Sequence, residues 1–425
     1  MLHIPSLHKP LQKDRALSEY ITYGHLVFFL ATLPFDRFYS QLALISLSAH
    51  VVINFRKSRI DSRLVKPAIF SSLLYLMALL GTIYSSYKVE AYNDWEKQMA
   101  LILFPLLFLF SAFDFAKYKW KLLTAFAATC TITVLYLYVQ VIRVILYNHL
   151  PIRAIFSSVF LNHNFSAPIG LHATYMSMYV LLSMVIVIIL ALKQTKRGWL
   201  YIPAIIILAL GLLQLSSRAV FISAVFVLNV SLPILLMKGK QRWVATASFA
   251  ALGLITVLAI VKIDAFKNRY VVELKEDLTQ IADRNELLEP RIVRWQVAMD
   301  LIKNSIVFGH GSGSEIAILK EKYFEDKLYN SYLNQLNAHN QYLSFLLKFG
   351  IIGLGVYLFI LYYGFKIAFR SNDVVFLSFL LIIFVVSFSE NILDVNKGIF
   401  FFAFFYSYFV FSNQGNDKEQ ALIRL

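Results

Sequence analysis

The stretch "NAHNQYLSFLLKFGIIGLGVYLFILYYGF", residues 337–365, places a histidine and an asparagine directly before a long apolar run. The hydrocarbon core of a bilayer is about 30 Å thick, and a helix needs about 20 apolar residues to cross it. The stretch therefore predicts a membrane-spanning helix over residues 342–365, with His339 and Asn340 at its water-facing end.

The whole chain has the composition of a polytopic membrane protein. Of its 425 residues, 59% are hydrophobic, 16% are aromatic and only 15% are charged, which leaves too little polar surface for a soluble globule of this size. The single cysteine, Cys130, excludes an internal disulfide. We therefore expect an all-α protein embedded in a bilayer.

Twelve apolar runs are predicted to cross the membrane. They lie near residues 20–34, 39–55, 67–86, 98–115, 121–143, 173–192, 199–215, 219–237, 243–262, 342–365, 373–389 and 397–412. Lysine and arginine concentrate in alternate loops, on the side of the amino terminus, so that side and both termini are expected to be cytoplasmic. The net charge of +15 then indicates contact with anionic membrane lipids and no nucleic-acid partner.

These spans divide the chain into three parts. Residues 1–262 carry predicted helices 1–9, residues 263–341 form a large extracytoplasmic loop, and residues 342–425 carry helices 10–12 and a polar tail. The carboxylates within 273–289 are irregularly spaced, and "GHGSGS" (309–314) lacks a preceding strand and a following lysine. Neither feature predicts a metal site or a phosphate-binding loop.

Arg218, in "LLQLSSRAVFIS" (212–223), lies where a cation is disfavoured. It begins a helix, whose positive dipole end repels a cation, and it lies on the side that the positive-inside rule leaves poor in arginine. An arginine in such a place is usually held by an anion. The alternative is a side chain that reaches lipid phosphates.

The large loop contains a predicted amphipathic helix that begins near Glu289 and Pro290. Its apolar positions recur at spacings of three and four residues. They are Ile292, Trp295, Met299 and Ile302. Arg291 and Arg294, three residues apart, flank this stripe and could bind an anion together. An interfacial helix with solvated charges is the alternative.

Asn337 or His339 is expected to cap the helix that follows, and the dipole of a helix start opposes protonation of an imidazole. A neutral imidazole can accept a proton. A cap alone is the simpler interpretation, but arginines on the same face of the membrane favour a chemical one. Arginines neutralise a diphosphate leaving group while a histidine deprotonates the incoming hydroxyl.

Several motifs, in the same order along the chain, resemble the O-antigen ligase and polymerase superfamily. "AHNQYLSFLLKFGIIGLGVYL" (338–358) is similar to its His-Asn-x-Tyr-Leu signature with a following Gly-x-x-Gly. The other similar segments are "LHATYMSMYV" (171–180), "SSRAVFIS" (216–223), "RIVRW" (291–295), "VFGHGSGS" (307–314) and "SENILDVNKGIFFFAFFYSYF" (389–409). The resemblance covers about residues 160–410.

The resemblance implies an O-antigen ligase: an inverting, metal-independent glycosyltransferase on a GT-C-type scaffold, without a cofactor, in the bacterial inner membrane. Its donor would be a glycan on undecaprenyl diphosphate, and its acceptor a sugar hydroxyl of lipid A core on the periplasmic face. His339 would be the catalytic base and Arg218 the first diphosphate ligand, with either Arg294 or Arg291 as the second. Asn340 would orient sugar or ring.

His172 is a further candidate for substrate binding, with packing or capping as the alternative. Three other functions stay open: a polysaccharide polymerase of the same superfamily, a protein O-glycosyltransferase, and a polysaccharide transporter or flippase. The last is disfavoured because the two halves of the chain show no repeat.

Overall fold

A computed structural model describes residues 8–55, 60–111, 113–194, 196–260, 262–277 and 289–414. These residues form helices and connecting turns, and no strand occurs among them. Parts of the predicted basic loop (56–59), of the acidic segment (278–288) and of the polar tail (415–425) lie outside the described residues.

Twelve α-helices lie among the described residues up to Ile260. They are α1 (His8–Thr32), α2 (Arg37–Ile53), α3 (Ser62–Tyr84), α4 (Lys88–Gln98), α5 (Ala100–Phe110), α6 (Phe115–Tyr147), the short α7 (His163–Ser166), α8 (Ala173–Lys193), α9 (Ile202–Leu215), α10 (Arg218–Phe226), α11 (Leu232–Leu236) and α12 (Gly239–Ile260). A π-helical turn, Val227–Ser231, joins α10 to α11 in one helical rod.

Eight helices follow, the first five of them within the large loop. They are α13 (Asp264–Lys267), α14 (Glu273–Asp277), α15 (Arg291–Lys303), α16 (Ser314–Glu325), α17 (Tyr329–Leu333), α18 (Gln341–Arg370), α19 (Val374–Val386) and α20 (Asn396–Ser412).

A helix or helical rod lies over each of the twelve predicted spans, and six of them are long and apolar enough to cross a membrane by themselves. These six are Ser62–Tyr84, Phe115–Tyr147, Ala173–Lys193, Gly198–Leu215, Arg218–Leu236 and Gln341–Arg370. The fold is therefore that of a polytopic membrane protein, while the count of twelve stays a prediction. The predicted span 98–115 is the shortest match, because the preceding residues form the separate, polar helix α4.

The helices α8 and α20 lie at the centre of the molecule. Every residue of α20 from Lys397 to Ser412 is buried. A helix that is apolar on all sides has to be surrounded by other helices, and aromatic rings from α1, α5, α6, α8 and α19 contact this one. The ring of Phe404 lies 5.1–6.1 Å from five others, and the closest are those of Phe405, Phe29 and Phe104.

Helix α18 is broken at Gly350, and this break receives the glycine turn of the large loop. Gly350 has φ 61° and ψ −159°, which frees backbone groups on both sides of it. The N–H groups of His310 and Gly311 donate to the carbonyls of Leu347 and Lys348, both at 2.8 Å. The "GHGSGS" segment is therefore a docking turn against α18.

The close approach explains two of the glycines. A Cβ atom on Gly309 would lie 2.6 Å from backbone atoms of residues 348–350, and one on Gly350 would lie 2.2 Å from the carbonyl oxygen of Val307. Since both residues also have positive φ, glycine relieves crowding and backbone strain at once.

The amphipathic helix of the large loop begins as predicted, but its buried face is not the predicted stripe. The buried residues of α15 are Arg294, Val297, Ala298 and Ile302, whereas Met299 is 45% exposed. The predicted stripe is fully buried only at Ile302, because α15 packs onto α16 and α18 and this contact turns the buried face towards Arg294. The helix thereby ties the large loop to the start of α18.

Candidate active site

The His339 loop, residues 337–340, connects α17 to α18. Asn340 caps α18, since its Oδ1 accepts the N–H groups of Tyr342 at 3.0 Å and Leu343 at 3.2 Å. The prediction that Asn337 or His339 forms this cap was wrong. The Oδ1 of Asn337 instead accepts the N–H of His339 at 2.9 Å and closes a turn just before the cap.

His339 has a backbone conformation that histidine rarely adopts. Its φ is 45°, in the left-handed region, which costs about 1–3 kcal/mol for a residue with a side chain. Such strain persists only where surrounding contacts fix the chain. The side chain is 28% exposed, so the ring is held by protein and still accessible from outside.

Glu390, in the connection between α19 and α20, is the partner of His339. Its Oε2 lies 3.5 Å from His339 Nδ1, which is long for a hydrogen bond but close for an ion pair. Burial acts to raise the pKa of this carboxyl, but the contact and charge of His339, with the charge of Arg291, outweigh burial and lower it. A carboxylate on Nδ1 orients the ring and leaves Nε2 to accept a proton.

Glu390 was not predicted from the sequence as a site residue. The segment "SEN" (389–391) is among the quoted family motifs, but nothing local connects it to a residue 51 positions earlier. Only the packing of the α19–α20 connection against the start of α18 brings the two together: Gln341 N–H donates to Ser387 O at 2.8 Å.

The two arginines of α15 lie in different environments. Arg291 is partly exposed, and its Nη1 donates to the carbonyl of Ser389, next to Glu390, at 3.1 Å. Arg294 is 5% exposed, and its Nη1 lies 3.5 Å from the carbonyl of Asn337, behind the His339 loop. Trp295 holds the same loop, since its indole N–H donates to Ala338 O at 2.8 Å.

Arg218 is the first residue of α10, as expected, and is half-buried. A chain of polar contacts connects the preceding residue to His339's partner. Ser217 Oγ lies 3.5 Å from Thr174 Oγ1, which lies 3.4 Å from Glu390 Oε1. The starts of α8, α10 and α18 therefore converge on the α19–α20 connection.

A pair of histidines lies beside this convergence. The rings of His163 and His172 are 4.1 Å apart, and His172 also caps α8 by accepting the N–H of Thr174 at 3.3 Å. His163 Nδ1 accepts the N–H of Ala173 at 3.4 Å. Each Nδ1 is therefore unprotonated, and each ring offers its Nε2–H as a donor.

Both histidines are neutral near pH 7. Loss of hydration on the packed side of the ring lowers the pKa of His172 to about 4, against the opposing charge of Glu390. The pKa of His163 is lowered by the same cause and by the charge of Arg269. His163 was missed in the sequence, where it stands in a polar segment without a distinctive spacing.

Arg269, on the π-helical turn Asn268–Val272, is a second cation near Arg218. Its Nε lies 3.4 Å from the carbonyl of Ser216, and it forms an ion pair with Glu273. The charges of Arg269 and Arg218 both act to lower the pKa of Tyr270, although burial, the larger effect, raises that pKa to about 12. The two guanidinium groups thus lie around one tyrosine.

The carboxylates of the described residues form no metal site. Across these ranges, no group of three or more histidine, cysteine, aspartate or glutamate side chains is arranged to hold a metal ion. The arrangement that is present consists of an imidazole with a carboxylate partner and several nearby guanidinium groups. It can deprotonate a hydroxyl and bind an anion.

Comparison with known proteins gives a match to one family model. Residues 165–358 match the model of the family described as O-antigen ligase. The match extends from α7 into α18, so it includes Arg218, both arginines of α15 and His339, while Glu390 lies beyond it. No curated protein matches the chain significantly. The matched region, somewhat less than half of the chain, is similar to this family, and the long apolar helices indicate a multi-pass membrane protein.

Proposed function

We propose that this protein is an O-antigen ligase that transfers a glycan from undecaprenyl diphosphate to a sugar hydroxyl of lipid A core. The observation that carries the proposal is the pairing of His339 with Glu390, beside Arg291. His339 and Arg291 lie within the region that matches the family, at the start of α18 and of α15. This arrangement supplies a base and an anion-binding group at the end of an apolar helix. Transfer from a lipid-linked diphosphate requires both: the base for the acceptor hydroxyl and the anion-binding group for the diphosphate.

The reaction follows from these groups. Nε2 of His339 takes the proton of the acceptor hydroxyl while its oxygen attacks the anomeric carbon from the side opposite the diphosphate. The bond from that carbon to the diphosphate oxygen breaks, and undecaprenyl diphosphate leaves with the electron pair. Configuration is inverted, Glu390 stabilises the imidazolium, and His339 then returns its proton to water.

We assign the diphosphate to Arg218 and Arg291. Guanidinium groups bind phosphate oxygens in pairs and neutralise the charge that develops on the leaving group, which replaces a metal ion. The partial exposure of Arg291 and its position beside Glu390 support it over Arg294 as the second ligand. Arg294, buried behind the His339 loop, serves to hold that loop.

The two remaining candidates receive different roles. Asn340 is 6% exposed and its Oδ1 is occupied by capping α18, so it orients the loop. His172 keeps its Nε2–H beside the site, and a neutral donor of this kind suits a sugar hydroxyl.

The finer topology belongs to the same proposal. Twelve crossing helices on a GT-C scaffold in the inner membrane, with both termini cytoplasmic, place the His339 loop at the periplasmic face. The polyprenyl tail enters between helices from the bilayer, while the diphosphate stays at the interface where arginines reach it.

The test uses purified protein and undecaprenyl diphosphate carrying a labelled glycan, offered with lipid A core. We expect transfer to lipid A core, and we expect His339→Ala to abolish it while leaving protein yield unchanged. A His339→Ala variant that transfers glycan at the normal rate would refute the base assignment.

Parallel reactions separate the alternatives. Transfer to a second lipid-linked glycan instead of lipid A core identifies a polymerase of the same superfamily, and transfer to a periplasmic protein identifies a protein O-glycosyltransferase. Movement of the lipid-linked glycan across proteoliposomes without a covalent product identifies a flippase.

A further inference from the structure

The backbone on either side of His339 is held by one buried pair of side chains. The N–H of Ala338 donates to Glu315 Oε1 at 3.2 Å, and the N–H of Asn340 donates to Asn391 Oδ1 at 2.8 Å. The pair is itself joined, because Asn391 Nδ2 donates to Glu315 Oε1 at 2.9 Å. The residue between these two anchors is the strained His339.

The two side chains come from distant parts of the chain. Glu315 lies in the first turn of α16, directly after the glycine turn that docks against the break in α18. Asn391 follows Glu390 in the α19–α20 connection. The anchors therefore join the large loop and the last helical hairpin to the His339 loop.

The pair is buried together with a lysine, Lys348, which is unexpected within the apolar helix predicted over residues 342–365. Lys348 lies two helical turns into α18, and its Nζ is 3.7 Å from Glu315 Oε2 and 2.6 Å from Asp394 Oδ1. Asp394 Oδ2 in turn accepts from Asn391 Nδ2 at 3.0 Å. Ser344 donates to Glu315 as well.

Such a cluster is expensive to bury, since three charged groups lose their hydration. Burial raises the pKa of the Glu315 carboxyl, and the charge of Lys348 opposes that effect. Replacing buried ion pairs by apolar residues often leaves a protein equally stable, so stability alone gives a weak reason for this one. A better reason for the buried cluster is that it fixes the conformation of the His339 loop, because each anchor contacts a residue adjacent to His339.

We propose that Glu315 and Asn391 are positioning residues that hold His339 in its left-handed conformation with Nε2 turned towards the substrate. Neither residue touches the reacting atoms. The charge of Lys348 favours the ionised form of Glu315, and Asp394 orients Asn391 by accepting from its Nδ2. The proposal rests on the proposed function, since it takes His339 as the base.

The first experiment separates positioning from general stability. Glu315→Gln keeps the size of the side chain, and Glu315→Asp keeps its charge but withdraws its oxygens from Ala338. The matched control is Glu321→Gln, an exposed carboxylate on the same helix. We expect the Glu315 variants to lose up to about 100-fold in kcat with the donor KM unchanged, because a displacement near 1 Å costs that much at a reacting group.

The same substitution is then made in the Glu390→Gln background, which lacks the carboxylate partner of His339 and is expected to keep a measurable rate. If Glu315 acts through His339, Glu315→Gln lowers kcat by a smaller factor there than in the otherwise unchanged protein. An equal loss in both backgrounds, or a change in KM alone, would overturn the proposal. If the Glu315 variants fold poorly, Asn391→Ser gives the same comparison from the other anchor.

A second readout does not depend on activity. Diethyl pyrocarbonate modifies accessible imidazoles, and mass spectrometry gives the rate at His339 relative to the exposed His149. We expect Glu315→Gln to change this ratio severalfold and Glu321→Gln to leave it unchanged. A changed ratio without any glycan transfer would refute the proposed function alone, whereas normal transfer with an unchanged ratio would refute the positioning role.

Discussion

Replacing Glu390 by glutamine tests the centre of the proposed mechanism. Glu390→Gln keeps the shape of the side chain and removes the charge that stabilises the protonated base. Across 3.5 Å, with an effective dielectric constant of about 20, the attraction between imidazolium and carboxylate is at most about 5 kcal/mol. Since the His339 side chain is 28% exposed, solvent screens much of this attraction, and we take about 2 kcal/mol as its effect on the transition state.

An effect of about 2 kcal/mol corresponds to a rate change of about 30-fold. The assay is the initial rate of transfer from the labelled lipid-linked glycan at saturating donor. We expect kcat to fall by this factor, with the donor KM little changed, because Glu390 acts on the base.

The matched control is Thr174→Val, which removes the 3.4 Å contact to Glu390 Oε1 and leaves the His339 pair intact. It is expected to transfer glycan at close to the normal rate. A Glu390→Gln variant with normal kcat would refute the role of the pair. A variant that raised only KM would show that Glu390 contacts a substrate instead.

Three further results are expected. Arg291→Lys should raise the donor KM and leave the melting temperature unchanged. Arg294→Lys should lower the melting temperature, because Arg294 holds the His339 loop. The reverse pattern would make Arg294 the diphosphate ligand. Gly350→Ala should destabilise the protein by more than about 2 kcal/mol, because its Cβ would lie 2.2 Å from a carbonyl oxygen, whereas Gly355→Ala, with no atom within 4 Å, should not. Because the pKa of His172 is lowered from 6.5 to about 4, it contributes stability above pH 6.5 that is lost as the pH falls towards 4. In His172→Gln the melting temperature should therefore fall less steeply as the pH is lowered from 6.5 to 4. A fall as steep as in the unchanged protein would contradict this account.

The sequence identified the features that depend on local pattern. Apolar runs of the right length predicted where the helices lie, because a bilayer requires each crossing segment to satisfy its own backbone. The start of α15 followed from Glu289 and Pro290, and the start of α18 from the polar residues before it. The misplaced charge of Arg218 is likewise visible without a fold.

The sequence misidentified features that depend on which surfaces meet. Positions in α15 spaced by three or four residues form more than one overlapping stripe, and only contact with α16 and α18 selects the face that contains Arg294. The cap of α18 shifted to Asn340 for a similar reason. The side chain of Asn337 was already used by the turn at His339.

The sequence by itself determined a helical membrane protein, with a region similar to the O-antigen ligase family and His339 at the end of a long apolar helix. Only the tertiary structure decided which groups surround that histidine. Glu390 and Glu315 are 51 residues after and 24 residues before it, and no periodic pattern connects residues so far apart. Their contacts arise because the last helical hairpin and the large loop both pack against the start of α18, and packing depends on the shapes of all three elements at once.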